Sequence, residues 1–380
     1  MAGIFLQIDL YKTLALFVLV MAFNKFFEEA VSAVNTRHSY NERLSSLLAS
    51  LKVKSSPTRN ELIVLPVSKE ELSCSVAGVD SGFVSKKLSF LDLVLVKTTG
   101  VIFNYTEGQL TKAEYYPAPF SFPEPLLLRS GLEKDEEAQS VSLIRLEQEV
   151  NCSIEIIKKF KPKFLFIDGS IVPQYQDKPR KESEINNDYE SIVKLFQKLY
   201  KIAEDNSTIL VACVEDSRGT RFRQILQEEI LPLNNVKLDS SLLSGAFDAS
   251  LLDYYLAQGE RTFAFHYTNN VSNHAILKDY SKEWAESIFV FYLKCSTFDK
   301  PLRVEFICKN KEDVSKCAKS IASIVYSLGS LHKEYSFPSV LIEADLRAGL
   351  SEQEISVVYD RLVDKLGGKI RMRRTNRPFN

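Results

Sequence analysis

Two aspartates stand where apolar runs give way to small polar residues. Asp80 lies in Val79-Asp80-Ser81-Gly82, and Asp168 in Ile167-Asp168-Gly169-Ser170. Each follows a hydrophobic stretch of strand type. If the two strands are neighbours, both carboxylates project from one region of a sheet. Such a pair suits Mg²⁺ or Mn²⁺, hard ions that take oxygen ligands and keep positions open for water and phosphate. Two ions about 3.5–4 Å apart clamp the attacking and leaving oxygens of a phosphodiester cleavage. Asp before Ser or Gly is also ordinary turn chemistry, because its side chain bonds the backbone that follows. One such site says little; two at strand exits say more.

A third carboxylate comes from 137–160, which reads as a long helix. Leu143, Leu146, Val150, Ile154 and Ile157 form its apolar stripe. Glu147 falls on that stripe and Glu149 points away, so Glu149 is the fallback if the register shifts. A Glu facing the core is costly unless paired or metal-bound; at the stripe's edge it simply reaches solvent. Asp216, in Glu215-Asp216-Ser217-Arg218, is an accessory candidate or a helix cap. Asp345, in a helical LIEADLRAGL, is another accessory candidate or a surface charge. His266, His274 and His332 are scattered and receive no role. There is no GxxxxGK[ST] loop, so ATP hydrolysis is not expected.

The elements that must position these residues read as follows. Strands are expected over 72–81, with two more within 87–105, then at 163–168, 208–214, 261–267, 287–296 and 301–308. Helices are expected over 21–51, 137–160, 188–203, 218–229, 311–327 and 351–366. The segment 117–125 carries four prolines and reads as a loop. Antiparallel strands followed by strands alternating with helices suggest a mixed α/β sheet. No linker divides the chain, so one domain with insertions is expected.

Of 380 residues, 48 are Lys or Arg and 49 Asp or Glu, and 45% are hydrophobic. That excludes a disordered chain and a protein that coats nucleic acid by net charge. Six cysteines without a CxxC pair read as reduced thiols in a cytoplasmic protein. Leu14–Phe23 is ten apolar residues long, and a spanning helix needs about 20, so no membrane segment is expected. Residues 1–20 read as a doubtful extension ahead of Met21, and 21–71 as a helical segment for dimer or partner contact. Residues 369–377 are the densest basic stretch. There Arg371, Arg373, Arg374 and Arg377 suit DNA phosphates or a solvated tail.

Taken in order, VDSG, Glu147 on a long helix and FIDGS resemble the NurA nuclease family. Gly259-Glu260-Arg261-Thr262, Phe291-Tyr292-Leu293, Arg303-Val304-Glu305-Phe306 and the closing Arg373-Arg374 and Arg377-Pro378-Phe379 extend the likeness over 72–380. The resemblance implies an RNase H-like mixed sheet flanked by helices, with an N-terminal helix and C-terminal insertions. It implies a Mn²⁺-dependent deoxyribonuclease, with Mg²⁺ as the other candidate, whose metal-binding catalytic carboxylates are Asp80, Glu147 and Asp168. Archaeal and bacterial members form homodimers, degrade DNA 5′ to 3′, cut single strands internally, and work with the hexameric HerA ATPase in recombinational repair. One departure stands out. The family often has Tyr-Pro with a His eight residues after the Tyr; here Phe337-Pro338 is followed by Asp345. An Asp can ligate a metal but cannot act as a neutral imidazole. A second reading is therefore a weakened or inactive DNA-binding subunit that docks on a HerA-like translocase.

Overall fold

The computed structural model describes residues 2–52, 54–55, 61–88, 92–128, 132–235, 243 and 245–367, with backbone only before residue 23. Helix α1 (Ala2–Leu48) leads into β1 (Val64–Pro66). A meander follows: β2 (Ser75–Lys87), β3 (Asp92–Thr106) and β4 (Gln109–Tyr116), with β5 (Glu124–Leu128) returning to β3. Then come α2 (Lys134–Phe160), β6 (Phe164–Asp168), α3 (Asn186–Asp205) and β7 (Ile209–Val214). Helix α4 (Arg221–Ile225) runs through a π turn into α5 (Leu231–Leu233), followed by α6 (Asp248–Tyr255). Strands β8 (Glu260–Thr262) and β9 (Phe265–His266), helix α7 (Lys282–Ala285), and strands β10 (Ile288–Leu293) and β11 (Leu302–Ile307) precede α8 (Val314–Gly329), α9 (Ser339–Ala348) and α10 (Glu352–Leu366).

The strands form one sheet in the order β1-β8-β10-β11-β7-β6-β2-β3-β4. Strands β2, β6 and β7 are parallel neighbours, while β3 and β11 flank them antiparallel. An antiparallel β2–β3–β4 meander with two parallel strands added beside β2 is RNase H-like order. The short runs FLFID and ILVACV are almost wholly apolar because helices cover both faces. On one face α2 and α3 pack over Ala77, Val79, Leu165, Ile167 and Leu210. On the other, α8 and α9 pack over Val76, Phe164, Phe166, Val211 and Phe306. Helix α3 contributes Ile192, Phe196 and Leu199, each worth about 2 kcal/mol of burial. Helix α2 has Asp135, Glu136 and Glu137 in its first turn and Lys158 and Lys159 in its last, charges that oppose its dipole at each end.

Several expectations change. The first strand does not end at Ser81; β2 continues to Lys87, so Asp80 lies inside a strand. The two strands expected within 87–105 are one, β3. Gly100 does not break it, because Ile156 of α2 packs where a Cβ would stand. Strand β4 was not foreseen; its residues are largely exposed and carry no apolar alternation. Helix α1 crosses position 20 without a break, and the segment to 71 also contains β1, paired with β8. Arg371, Arg373, Arg374 and Arg377 lie outside the described residues. Among the described residues, no helix is long and apolar enough to cross a membrane.

Candidate active site

Parallel pairing sets Val79 of β2 against Ile167 of β6. One step further along both strands stand Asp80 and Asp168. Asp168, the last residue of β6, stands at the strand end beside Arg145 and Glu149 of α2, whereas Val79 points into the α2–α3 core, so alternation turns Asp80 to the α9 side. There Gly78 and Gly82 flank Asp80 on the same face. A Cβ on Gly78 would lie 2.9 Å from the Val340 carbonyl oxygen, and one on Gly82 would collide with that of Ala348. The two glycines therefore let α9 lie directly on β2. That approach brings Asp345, from the last turn of α9, close enough to Asp80 for its charge to add to the rise that burial gives the Asp80 carboxyl.

The next residue, Ser81, faces α2 and donates its hydroxyl to Glu149 Oε1 in a short hydrogen bond. Arg145, one turn earlier, sets Nε 3.7 Å from the same oxygen. Glu149 and Asp80 are buried, while Asp168 is exposed at the mouth. A cavity of ≈100 Å³ is lined in part by Arg145, Glu149 and Asp168. The buried Thr99 hydroxyl, on the β3 residue opposite Asp80, has no partner.

Electrostatically the site is overloaded with negative charge. Burial pushes Glu149 up to about 7; Asp80 and Asp168 add to the rise, and Arg145 and Ser81 oppose it. Asp168 also rises to about 7, through burial, then Asp80, Glu215 and Asp345, against Arg145. Exposure at the mouth trims the burial share for Asp168, and its like-charge share stays. Asp80 is raised by burial and by Asp345, against the Ser81 N–H and Arg145. Among the described residues no three His, Cys, Asp or Glu side chains stand at ligand spacing. The donor set is nevertheless of the right chemistry. Crowded carboxylates beside a single guanidinium and an orphaned hydroxyl fit a hard divalent cation, which would convert their repulsion into attraction.

A stability consequence follows. A carboxyl with a raised folded pKa binds a proton in the folded state that the unfolded chain has released. Stability therefore falls as pH climbs from the unfolded value near 4.5 to about 7. In EDTA the melting temperature should drop between pH 5 and pH 8, with Glu149 contributing at most about 3 kcal/mol. Glu149→Gln should flatten the slope; an unchanged slope in that variant would refute the burial of a protonated Glu149.

The helix register differs from expectation. Glu147 is exposed, whereas Glu149 bonds Ser81, next to Asp80, and shares a cavity with Asp168. The stripe chosen in sequence was too narrow, because α2 is covered by both the sheet and α3. Glu149, Cys152 and Ile156 repeat at i, i+3 and i+7, and Cys152 and Ile156 touch the sheet at Gly100. That series was the available signal. Asp216 does not reach the site; it is exposed and pairs with Lys300 at 2.6 Å, and neighbouring Glu215 acts on Asp168 instead. Asp345 does reach it.

The RVEF segment also acquires a role that sequence reasoning missed. Arg303 Nε donates to Glu305 Oε1 at 2.6 Å, with both side chains buried. Glu305 Oε2 accepts from Ser170 Oγ at 2.7 Å and from the Ile171 N–H at 3.0 Å. This buried pair anchors the turn that follows Asp168.

The sheet order and the carboxylate cluster at the C-terminal end of β6, beside β2, define an RNase H-like nuclease fold. The NurA domain matches residues 74–348, and the chain belongs to the NurA nuclease family. The NurA nuclease from Sulfolobus solfataricus is similar in structure, with TM-score 0.58 and 14% identity over 90% of this chain and 98% of that one. A NurA structure with manganese gives TM-score 0.44 and 12% identity over 89% and 98%. Another NurA structure gives 0.44 and 12% over 91% and 98%. At these identities the likeness shows the fold alone, and the two lower scores carry no argument. No curated protein matches by sequence.

Proposed function

We propose that the chain is a divalent-metal-dependent deoxyribonuclease. The convergence of Asp80, Glu149 and Asp168, in a member of the NurA family, carries this reading. Asp80, Asp168 and Glu149 would hold the metal, with Mn²⁺ the first candidate and Mg²⁺ the second. When bound, the ion supplies positive charge against the phosphate and acidifies water. Ser81 and Arg145 orient the Glu149 carboxylate, and Asp345 shares the Asp80 side. The proposed reaction is 5′ to 3′ degradation of single- and double-stranded DNA, with internal cuts in single strands, during end processing for recombinational repair in the cytoplasm. End-labelled oligonucleotides incubated with the full-length protein and MnCl₂, MgCl₂ or EDTA test it. Cleavage should need the metal; inertness with both ions would overturn the reading.

The alternative of a non-cutting subunit rests on Phe337 and Asp345. Phe337 is buried in the core and offers no hydroxyl. However, Tyr335 stands close enough to Glu215 for that carboxylate to add to the rise that burial gives its phenol, and Asp345 adds a ligand-type oxygen. Both observations favour the active reading.

We also propose that α1 serves a homodimer or a HerA-like ATPase. Phe23, Phe26, Phe27, Val31 and Val34 are exposed on it, an apolar series that water does not favour. Deleting residues 2–36 should lower the mass seen by light scattering, or abolish co-elution with the ATPase. Unchanged assembly by both measures would dismiss α1 as the contact.

A further inference from the structure

A second cavity, ≈930 Å³ in volume, opens beside the carboxylates. Gly169, Ser170 and Glu215 form its near end, so it begins where Asp168 leaves the sheet. Its volume falls in the range of about 300–1,000 Å³ that encloses small organic ligands. Arg218 and Arg221 are in its wall. Nε and Nη1 of Arg221 are shut off from solvent, yet neither has a hydrogen-bond partner among the described residues. A buried unsatisfied donor costs about 1–3 kcal/mol, and such groups call for an explanation.

The neighbouring acids do not supply one. Asp216 is paired with Lys300, Glu305 with Arg303, and Asp248 accepts the N–H groups of Phe222 and Arg223. His274 supplies no positive charge: its Nδ1 accepts from the Ile276 and Leu277 N–H groups at 3.2 and 3.1 Å, which leaves only Nε2–H to donate. Tyr267 is covered by the Arg303 guanidinium, 4.8 Å from the ring centroid, and is not a free stacking platform. The backbone that carries the two free arginines is held in place. A Cβ on Gly219 would lie 2.6 Å from Arg303 Nη1, so this loop sits directly on the buried pair.

We propose that this cavity seats the nucleotide next to the bond that is cut, with its backbone phosphate taken by Arg221 and Arg218. The inference rests on the nuclease reading and names a strand-binding subsite for it. Guanidinium groups fit phosphate oxygens in bidentate fashion. With Tyr267 taken up by Arg303, recognition runs through the phosphate and sugar, and is tolerant of sequence.

The test uses the full-length protein in EDTA with fluorescein-labelled oligo(dT), read by anisotropy across a salt series. Arg221→Ala should weaken binding about tenfold and reduce the log–log salt slope by about 0.7 for one lost single-strand phosphate contact. Arg221→Lys should keep most of the affinity. In cleavage assays Arg221→Ala should raise KM more than it lowers kcat. A folded Arg221→Ala protein with wild-type affinity and slope overturns the proposal. If Arg221→Ala does not fold, exposed Arg218 decides: Arg218→Ala with a weaker, flatter salt dependence supports the subsite, and unchanged binding overturns it. The two readings separate cleanly. Arginine-dependent binding by a wild-type protein that cuts nothing sinks the nuclease; cutting with arginine-independent binding sinks the subsite.

Discussion

Asp80→Ala should abolish metal-dependent DNA degradation, with a rate loss on the order of 10³-fold. Asp80 is buried between Asp345, Arg145 and the Ser81 backbone, and a methyl group there offers no oxygen to a cation. The same substitution removes a like charge from Glu149 and Asp168. In EDTA the variant should therefore melt no lower than wild type, the trade between stability and activity expected of a site with crowded carboxylates. Gel assays with Mn²⁺ and a calorimetric scan in EDTA measure the two halves. Full activity in the variant would remove Asp80 from the site. Glu149→Gln should show a similar loss of rate, whereas Glu147→Gln should leave the rate unchanged. That contrast tests the register of α2 independently of any structure.

Glu305→Ala should be the most destabilising single change, by about 3–5 kcal/mol. It strands the buried Arg303 without its counter-charge and removes the acceptor for Ser170 and Ile171. A domain is typically stable by only about 5–15 kcal/mol, so this is a large fraction of the total. Urea denaturation reads it directly. Activity should fall further than the folded fraction explains, because the turn after Asp168 loses its anchor. A loss below about 1 kcal/mol would mean that the pair is not buried as described.

The parts legible in sequence were those with strong local patterns. The apolar runs FLFID and ILVACV could only be covered strands, and Asp168 at the end of one was visible as such. Asp80 was found for a partly wrong reason. Its Ser-Gly neighbours looked like a turn, but Gly82 is there because the α9 backbone needs the space. Glu149 was misread because amphipathicity assumes one buried face, and α2 is covered on two sides. Arg303 and Glu305 were legible only as part of a strand over 301–308 and of the family likeness, not as a pair. Their function depends on Ser170, 135 residues away, and nothing local announces such a pairing. Asp345 depends likewise on a helix-to-strand approach set by two glycines far upstream.

Those two glycines have a consequence of their own. Gly78 and Gly82 hold a gap of zero side-chain thickness between β2 and α9. A methyl group at position 82 would work as a wedge, prising the end of α9 outward while leaving every carboxylate in the chain. Asp345 would retreat from Asp80 by a distance set by the added group. On the proposed metal reading, the number of oxygens offered to a cation would thus be set by a spacer that carries no ligand of its own. On that reading, metal preference would drift through a residue with no functional group at all.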